Sequence, residues 1–318
     1  MKNHSLLTLV AALLLAACGN NGSGDKIELT RLDQLLFQTP AAQLQPTLRA
    51  HAPDYRTQVL NLAPDNPAAM QMLTEFVADP GMRHIFGVTD SLYHDLGWLE
   101  HNLGKAYARA RKLLPELQYS HFYTLVTGDF DDYTKRVFGD RTDLAISLDH
   151  YAVGRMGGVV PVYIERLCRP EYIAADCMGQ MAAAYIERPE GEFTLLDYAI
   201  AEGKRLYFIE KTLPHLADTI LYRYSPAQLR WAETYVGEVW SFMLREQLLY
   251  SHDFSQFHNL IDEAPKTNAF GDGSAPRMPA YIGLAIVRRY MKRTGSSMQD
   301  LFANTRSQQI LAESGWRP

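Results

Sequence analysis

Apolar positions recur every three to four residues through most of this chain, the spacing that lays them along one face of an α-helix. In the N-terminal third they predict short helices over 32–37, 41–49, 55–62 and 67–77 and a longer one over 96–113. Pro40, Pro46, Pro53, Pro64, Pro67, Pro80 and Gly81 punctuate them. The pattern then changes. Residues 121–127 and 143–150 are rich in strand formers and are separated by polar stretches that contain Gly128 and Gly139, which predicts a small sheet. Beyond Pro170 the helical spacing returns and continues to the end of the chain.

The clearest helix start is Ser225-Pro226-Ala227-Gln228, a capping box in which Ser caps the first turn and Pro occupies a position whose N–H has no helical partner. This helix is expected to run to about Tyr250, with Leu229, Ala232, Val236, Val239, Trp240, Met243 and Leu244 forming its apolar stripe. A second long helix is expected over 278–293. Gly283 inside it costs roughly 1 kcal/mol against Ala, so its presence predicts a close backbone approach. Gly295-Ser296-Ser297 stops that helix. With no internal repeat or heptad run, the fold class is read as α+β, mainly α-helical with a small sheet near residues 121–150, in one large domain over 28–318.

Composition narrows the partners. The chain has 318 residues, is 47% hydrophobic, and carries 31 Lys and Arg against 36 Asp and Glu. That weakly acidic balance gives no electrostatic case for nucleic acid as a partner. Lys2 and His4 precede an apolar run from Leu6 to Ala17, too short to span a bilayer and characteristic of a signal peptide over 1–17. Leu15-Ala16-Ala17-Cys18 resembles the bacterial lipobox, which makes Cys18 the expected lipidation site, followed by a polar tether over 18–27. In an exported protein Cys168 and Cys177 are permitted either a disulfide or a pair of buried thiols.

The familiar catalytic motifs are missing. None of the ten histidines is followed by Glu, so there is no His-Glu-x-x-His zinc site. There is also no G-x-S-x-G elbow and no phosphate-binding Gly-Lys-Ser/Thr loop. Asp129, Asp131 and Asp132 lack the Gly and the closing Glu of an EF-hand loop and read as a solvated turn. Glu202-Gly203-Lys204 stands out inside a helical stretch, and is read as an exposed Glu/Lys pair flanking a packing glycine. Arg277 is placed to pair with a buried carboxylate, Glu202 or Asp149.

Taken in order, Leu32-Asp33-x-x-Leu36-Phe37, Leu148-Asp149-x-Tyr151, Glu202-Gly203-Lys204-x-x-Tyr207 and Tyr224-Ser225-Pro226-x-Gln228-x-x-Trp231 resemble the gliding-motility lipoprotein GldB family of Bacteroidota. So do Glu238-x-Trp240, Leu248-Leu249-Tyr250-Ser251-x-Asp253, Pro276-Arg277, Ile282-Gly283-x-x-Ile286-Val287-Arg288-x-Tyr290-Met291 and the closing Trp316-Arg317-Pro318. The resemblance implies a lipid-anchored cell-envelope protein, held at a membrane, expected to be the outer one, through its N-terminal lipid. Its implied partners are envelope proteins of the motility or linked secretion machinery, with no cofactor and no assigned catalysis. Asp149, Glu202, Lys204, Arg277, Tyr281 and Gly283 become its candidate site residues. Glu202-Gly203 and the Tyr281-x-Gly283 helix also look like elements of glutamate-zincin peptidases, which implies a zincin-like scaffold. The segment where the missing histidine motif would stand, residues 176–180, has no imidazole. The alternative function is therefore a zincin-like metal-dependent hydrolase, or an inactive peptidase-derived module that binds peptide or glycan.

Overall fold

The computed structural model describes residues 27–50 and 64–318. The expected leader, Cys18, nearly all of the tether and the expected helix over 55–62 lie outside the described residues.

A short strand β1 (Thr30–Arg31) leads into helices α1 (Leu32–Gln38), α2 (Ala41–Ala50), α3 (Pro67–Ala78), α4 (Pro80–Tyr93) and α5 (Gly97–Leu113). The Pro80-Gly81 pair, expected as a break, does separate α3 from α4 and also starts the second of them, a helix the spacing does not predict. Asp79 accepts from the Met82 N–H at 2.9 Å, and Pro80 takes the first position, where its missing donor costs nothing. Strands β2 (His121–Leu125), β3 (Val137–Gly139) and β4 (Asp143–Ser147) complete a four-stranded sheet in the order β1-β2-β4-β3. β1, β2 and β4 run parallel, and β3 is antiparallel to β4. Both expected strands end early, the second because the chain turns into a 3₁₀ turn at Leu148–Tyr151. β1 and β3, at two and three residues, are too short to show any alternation.

Alternation along the sheet sets the layers. Phe122, Leu144 and Ile146 face the main core, while Tyr123 and Ala145 face a smaller core formed with Leu32, Phe37, Leu44 and Val77 of the N-terminal helices. The main core is built by α5 together with α6 (Ile173–Tyr185), α7 (Leu195–Thr212), α8 (Pro226–Arg245), α9 (Phe254–Ile261), α10 (Met278–Thr294), α11 (Met298–Ala303) and α12 (Ser307–Ser314). The chain is thus α+β, mainly helical, with a small mixed sheet.

The capping box opens α8 as expected, with Ser225 Oγ accepting from Gln228 N at 3.2 Å and the Gln228 side chain accepting from Ser225 N at 2.9 Å. The helix stops at Arg245, short of Tyr250, because Gln247 takes a left-handed φ of 57° and the Leu248 N–H turns back to Met243 O. The stripe is narrower than its spacing suggests: Ala232, Val239 and Met243 are buried, but Leu244 is 47% exposed.

Gly283 does mark a close approach. A Cβ there would lie 1.7 Å from Ala199 O, and a Cβ on Gly203 would lie 2.4 Å from the Gly283 carbonyl. α7 and α10 therefore cross backbone on backbone, which no residue with a side chain at either position would allow. The cysteines are two free, buried thiols and form no disulfide. Cys168 packs with Val153, Val160 and Ile164 in a satellite cluster, whereas Cys177 sits on α6 in the main core.

Candidate functional site

The α7–α10 crossing places Glu202, beside Gly203, next to Arg277, the residue before α10. Arg277 Nη2 donates to Glu202 Oε2 at 2.7 Å. Arg205, one turn along α7, holds the same carboxylate through Nε at 3.1 Å to each oxygen and through Nη2 at 2.7 Å to Oε2. Glu202 is therefore not half of an exposed Glu/Lys pair. Burial by itself would raise its pKa, but Arg205 and Arg277 outweigh that and hold it at about 2.

A second half of the network meets this pair. Arg223, in the loop before α8, donates to Asp176 on α6 through Nη2 and places Nη1 3.4 Å from Glu263 Oε1, just after α9. Arg136, entering β3, reaches Asp176 Oδ2 at 3.6 Å and Glu263 Oε2 at 3.5 Å, and Arg277 Nη1 lies 4.0 Å from Glu263 Oε1. The Tyr151 hydroxyl donates to Asp176 Oδ2 at 2.7 Å. Burial would raise the Glu263 pKa too, yet Arg223, Arg136 and Arg277 bring it to about 2. These side chains border a cleft of about 630 Å³ that Tyr198, Val137 and Ile261 also line. The most exposed of the charged groups, Glu202 and Arg205, reach only 18%.

Backbone strain gathers here as well. Among the described residues three non-glycines have left-handed φ, and two of them are Arg223 (61°) and Arg277 (53°). Such conformations persist where the surrounding structure imposes them, as it does at functional sites.

The other sequence-derived residues lie elsewhere. Asp149 does not pair with Arg277. It is fully buried in the turn after β4, where Oδ2 accepts from Gly128 N at 2.7 Å, Thr127 N at 3.1 Å and Thr127 Oγ1 at 3.2 Å. Its Oδ1 is buried with no hydrogen-bond partner. Burial pushes its pKa up and that of the adjacent His150 down, while each of the two groups pulls against the other's shift. Lys204 is buried and donates to Asn304 O at 2.6 Å, with its pKa lowered by burial to about 8. Tyr281 packs against Tyr222 with ring centroids 4.7 Å apart, away from the cleft lining. In the acidic loop Lys135 bridges Asp129 and Asp132 at 3.3 Å each, a solvent-facing arrangement.

Sequence reasoning assigned no role to Arg136, Asp176, Arg205, Arg223 or Glu263. The one local signal is Arg223 set between Tyr222 and Tyr224, a lone cation in aromatic surroundings. The segment expected to replace a histidine motif, residues 176–180, does border the same cleft as the arginines that hold Glu202. What meets the two carboxylates there is guanidinium, and both Glu202 oxygens are already taken. Among the described residues no group of three His, Cys, Asp or Glu side chains is arranged to hold a metal ion.

No curated protein matches the chain, and no solved structure does. A family model does, the one described as gliding motility protein GldB. It matches residues 21–318, and the chain belongs to that family.

Proposed function

We propose that this gliding motility protein is anchored to the cell envelope by lipid on Cys18 and works without catalysis, through contacts with proteins of the motility or linked secretion machinery. The observation that carries the non-catalytic reading is the state of Glu202. Its carboxylate is paired with the Arg205 and Arg277 guanidinium groups and its pKa is depressed, so two fixed positive charges oppose a metal cation beside it and it lacks the basicity of a general base. The hydrolase alternative would require both arginines to release it. The lipobox at Leu15-Ala16-Ala17-Cys18 supports a lipid as the anchor, and no described helix is long and apolar enough to cross a membrane.

The test is complementation of a gliding host lacking its own copy. The unaltered chain is expected to take up labelled palmitate, fractionate with membranes and restore colony spreading, and Cys18→Ser to lose the label and the membrane fraction. A Cys18→Ser protein that remained lipid-labelled would overturn the anchor. Stoichiometric zinc in the purified protein, lost on Glu202→Ala, would overturn the non-catalytic reading.

A further inference from the structure

The charges around the cleft do not balance. Arg136, Arg205, Arg223 and Arg277 face Asp176, Glu202 and Glu263, four cations against three anions in largely buried surroundings. Asp262, the remaining acid on the lining, is exposed at the rim. One formal positive charge is left over, and an uncompensated charge away from water is costly unless something pairs it. The least satisfied donor is identifiable: Arg223 Nη1 is buried and makes no hydrogen bond, and its anionic neighbour, Glu263 Oε1, stands off at 3.4 Å and is also approached by Arg277 Nη1 at 4.0 Å. Native structures leave few such donors, and this one belongs to an arginine held in a left-handed backbone conformation.

We propose that the cleft binds a small organic ligand through a single carboxylate group, received by the guanidinium groups of Arg223 and Arg277. One carboxylate cancels the excess charge, and the planar fork of an arginine matches its two oxygens. A phosphate dianion would reverse the local sign beside Glu263 and Asp176. Val137, Ile261 and Tyr198 supply apolar surface for the body of the ligand, and a cavity of about 630 Å³ suits a small molecule or a short chain end. The inference rests on reading the cleft as a binding surface and not on the lipid anchor, so its failure leaves the Cys18 experiment untouched.

Calorimetric titration of the full chain in detergent, in low-chloride buffer at neutral pH, decides it. The probes are an N-acetylated dipeptide acid, the same dipeptide amide, a hexuronate sugar and inorganic phosphate. At least one carboxylate probe is expected to bind. Binding of the dipeptide acid identifies a peptide chain end, and binding of the hexuronate an acidic glycan. The amide is expected to bind roughly tenfold or more weakly than the acid if the dipeptide is the ligand. Arg223→Lys keeps the charge but loses the fork and should weaken binding by about the same factor. Ala183→Phe, at an exposed position on the rim, leaves every ion pair in place and should block binding without moving the melting temperature, which keeps the test decisive if Arg223→Lys fails to fold. Equal binding of acid and amide, phosphate binding as tight as any carboxylate, or no binding by any probe would overturn the proposal.

Discussion

Two buried carboxylates in this molecule meet opposite fates. Glu202, in the arginine cleft, is claimed by two guanidinium groups and stays ionised far into acid. Asp149, in the turn after β4, is more deeply enclosed, with no exposed surface, and is met by backbone amides, one hydroxyl and a histidine that burial keeps neutral, and its pKa rises. The difference teaches that burial sets the cost of a charge in both places, while the neighbours decide whether the charge is kept. In the cleft, elements far apart in the chain bring cations. At the sheet end the donors come from one strand terminus and are dipoles.

The comparison can be broken most severely at the crossing that positions the cleft. Gly283→Ala places a methyl where Ala199 O already lies, forcing α7 from α10 and pulling Arg277 off Glu202. A loss of about 3 kcal/mol or more is expected, against about 1 kcal/mol or less for Ala at an ordinary helical glycine. Denaturant unfolding checks it, and an unchanged midpoint would mean the two helices can separate freely.

Glu202→Gln removes the anion that Arg205 and Arg277 share and leaves buried cations uncompensated. At neutral pH it is expected to cost about 3 kcal/mol in the same assay. The penalty should vanish in acid, and the sign follows from the direction of the shift. A carboxyl whose folded pKa lies below its unfolded value stabilises above the unfolded value and loses that contribution as pH falls through the folded one. For Glu202 and Glu263, both held at about 2, thermal melts should show stability draining from about pH 5 down to about pH 2. A flat profile across that window would show that the ion pairs contribute nothing.

Asp149→Asn should behave in the opposite sense and by the smallest amount. A raised carboxyl pKa stabilises the fold below the unfolded value and loses that stability as pH rises through the folded one, so at neutral pH the native Asp149 is a cost. The amide oxygen keeps the bonds from Thr127 and Gly128, and the side chain no longer has a charge to desolvate. A gain of about 1 kcal/mol at pH 7 that shrinks on acidification is expected in thermal melts. A loss of similar size to that of Glu202→Gln would erase the distinction between the two sites.

Some of this was legible before any coordinate. Ser225-Pro226-x-Gln228 announces a helix because a cap is made within one turn of chain. Gly283 announces a crossing because a glycine in a helix interior is unfavourable without a reason, although Gly203 and Ala199 as its counterparts could not be named. The end of α8 was missed because Gln247, a residue with no glycine-like freedom, takes the left-handed turn. The choice between bridge and thiols at Cys168 and Cys177 turned on packing, since a nine-residue separation says nothing about which core each enters.

What the sequence determined by itself was everything that short-range chemistry controls: the change from helical to strand-like spacing near residue 121, the α8 start, the glycine that demands contact, and, by motif order, the family. Only the tertiary structure decided the cleft. Arg136, Asp176, Arg205, Arg223 and Glu263 come from separate turns, helices and loops, share no periodicity and as isolated residues read as ordinary surface charge, while Arg277 was expected to meet a buried carboxylate but the choice of Glu202 over Asp149 came from the fold. Long charged side chains choose partners by distance and by exclusion of water, and both are properties of the packed fold.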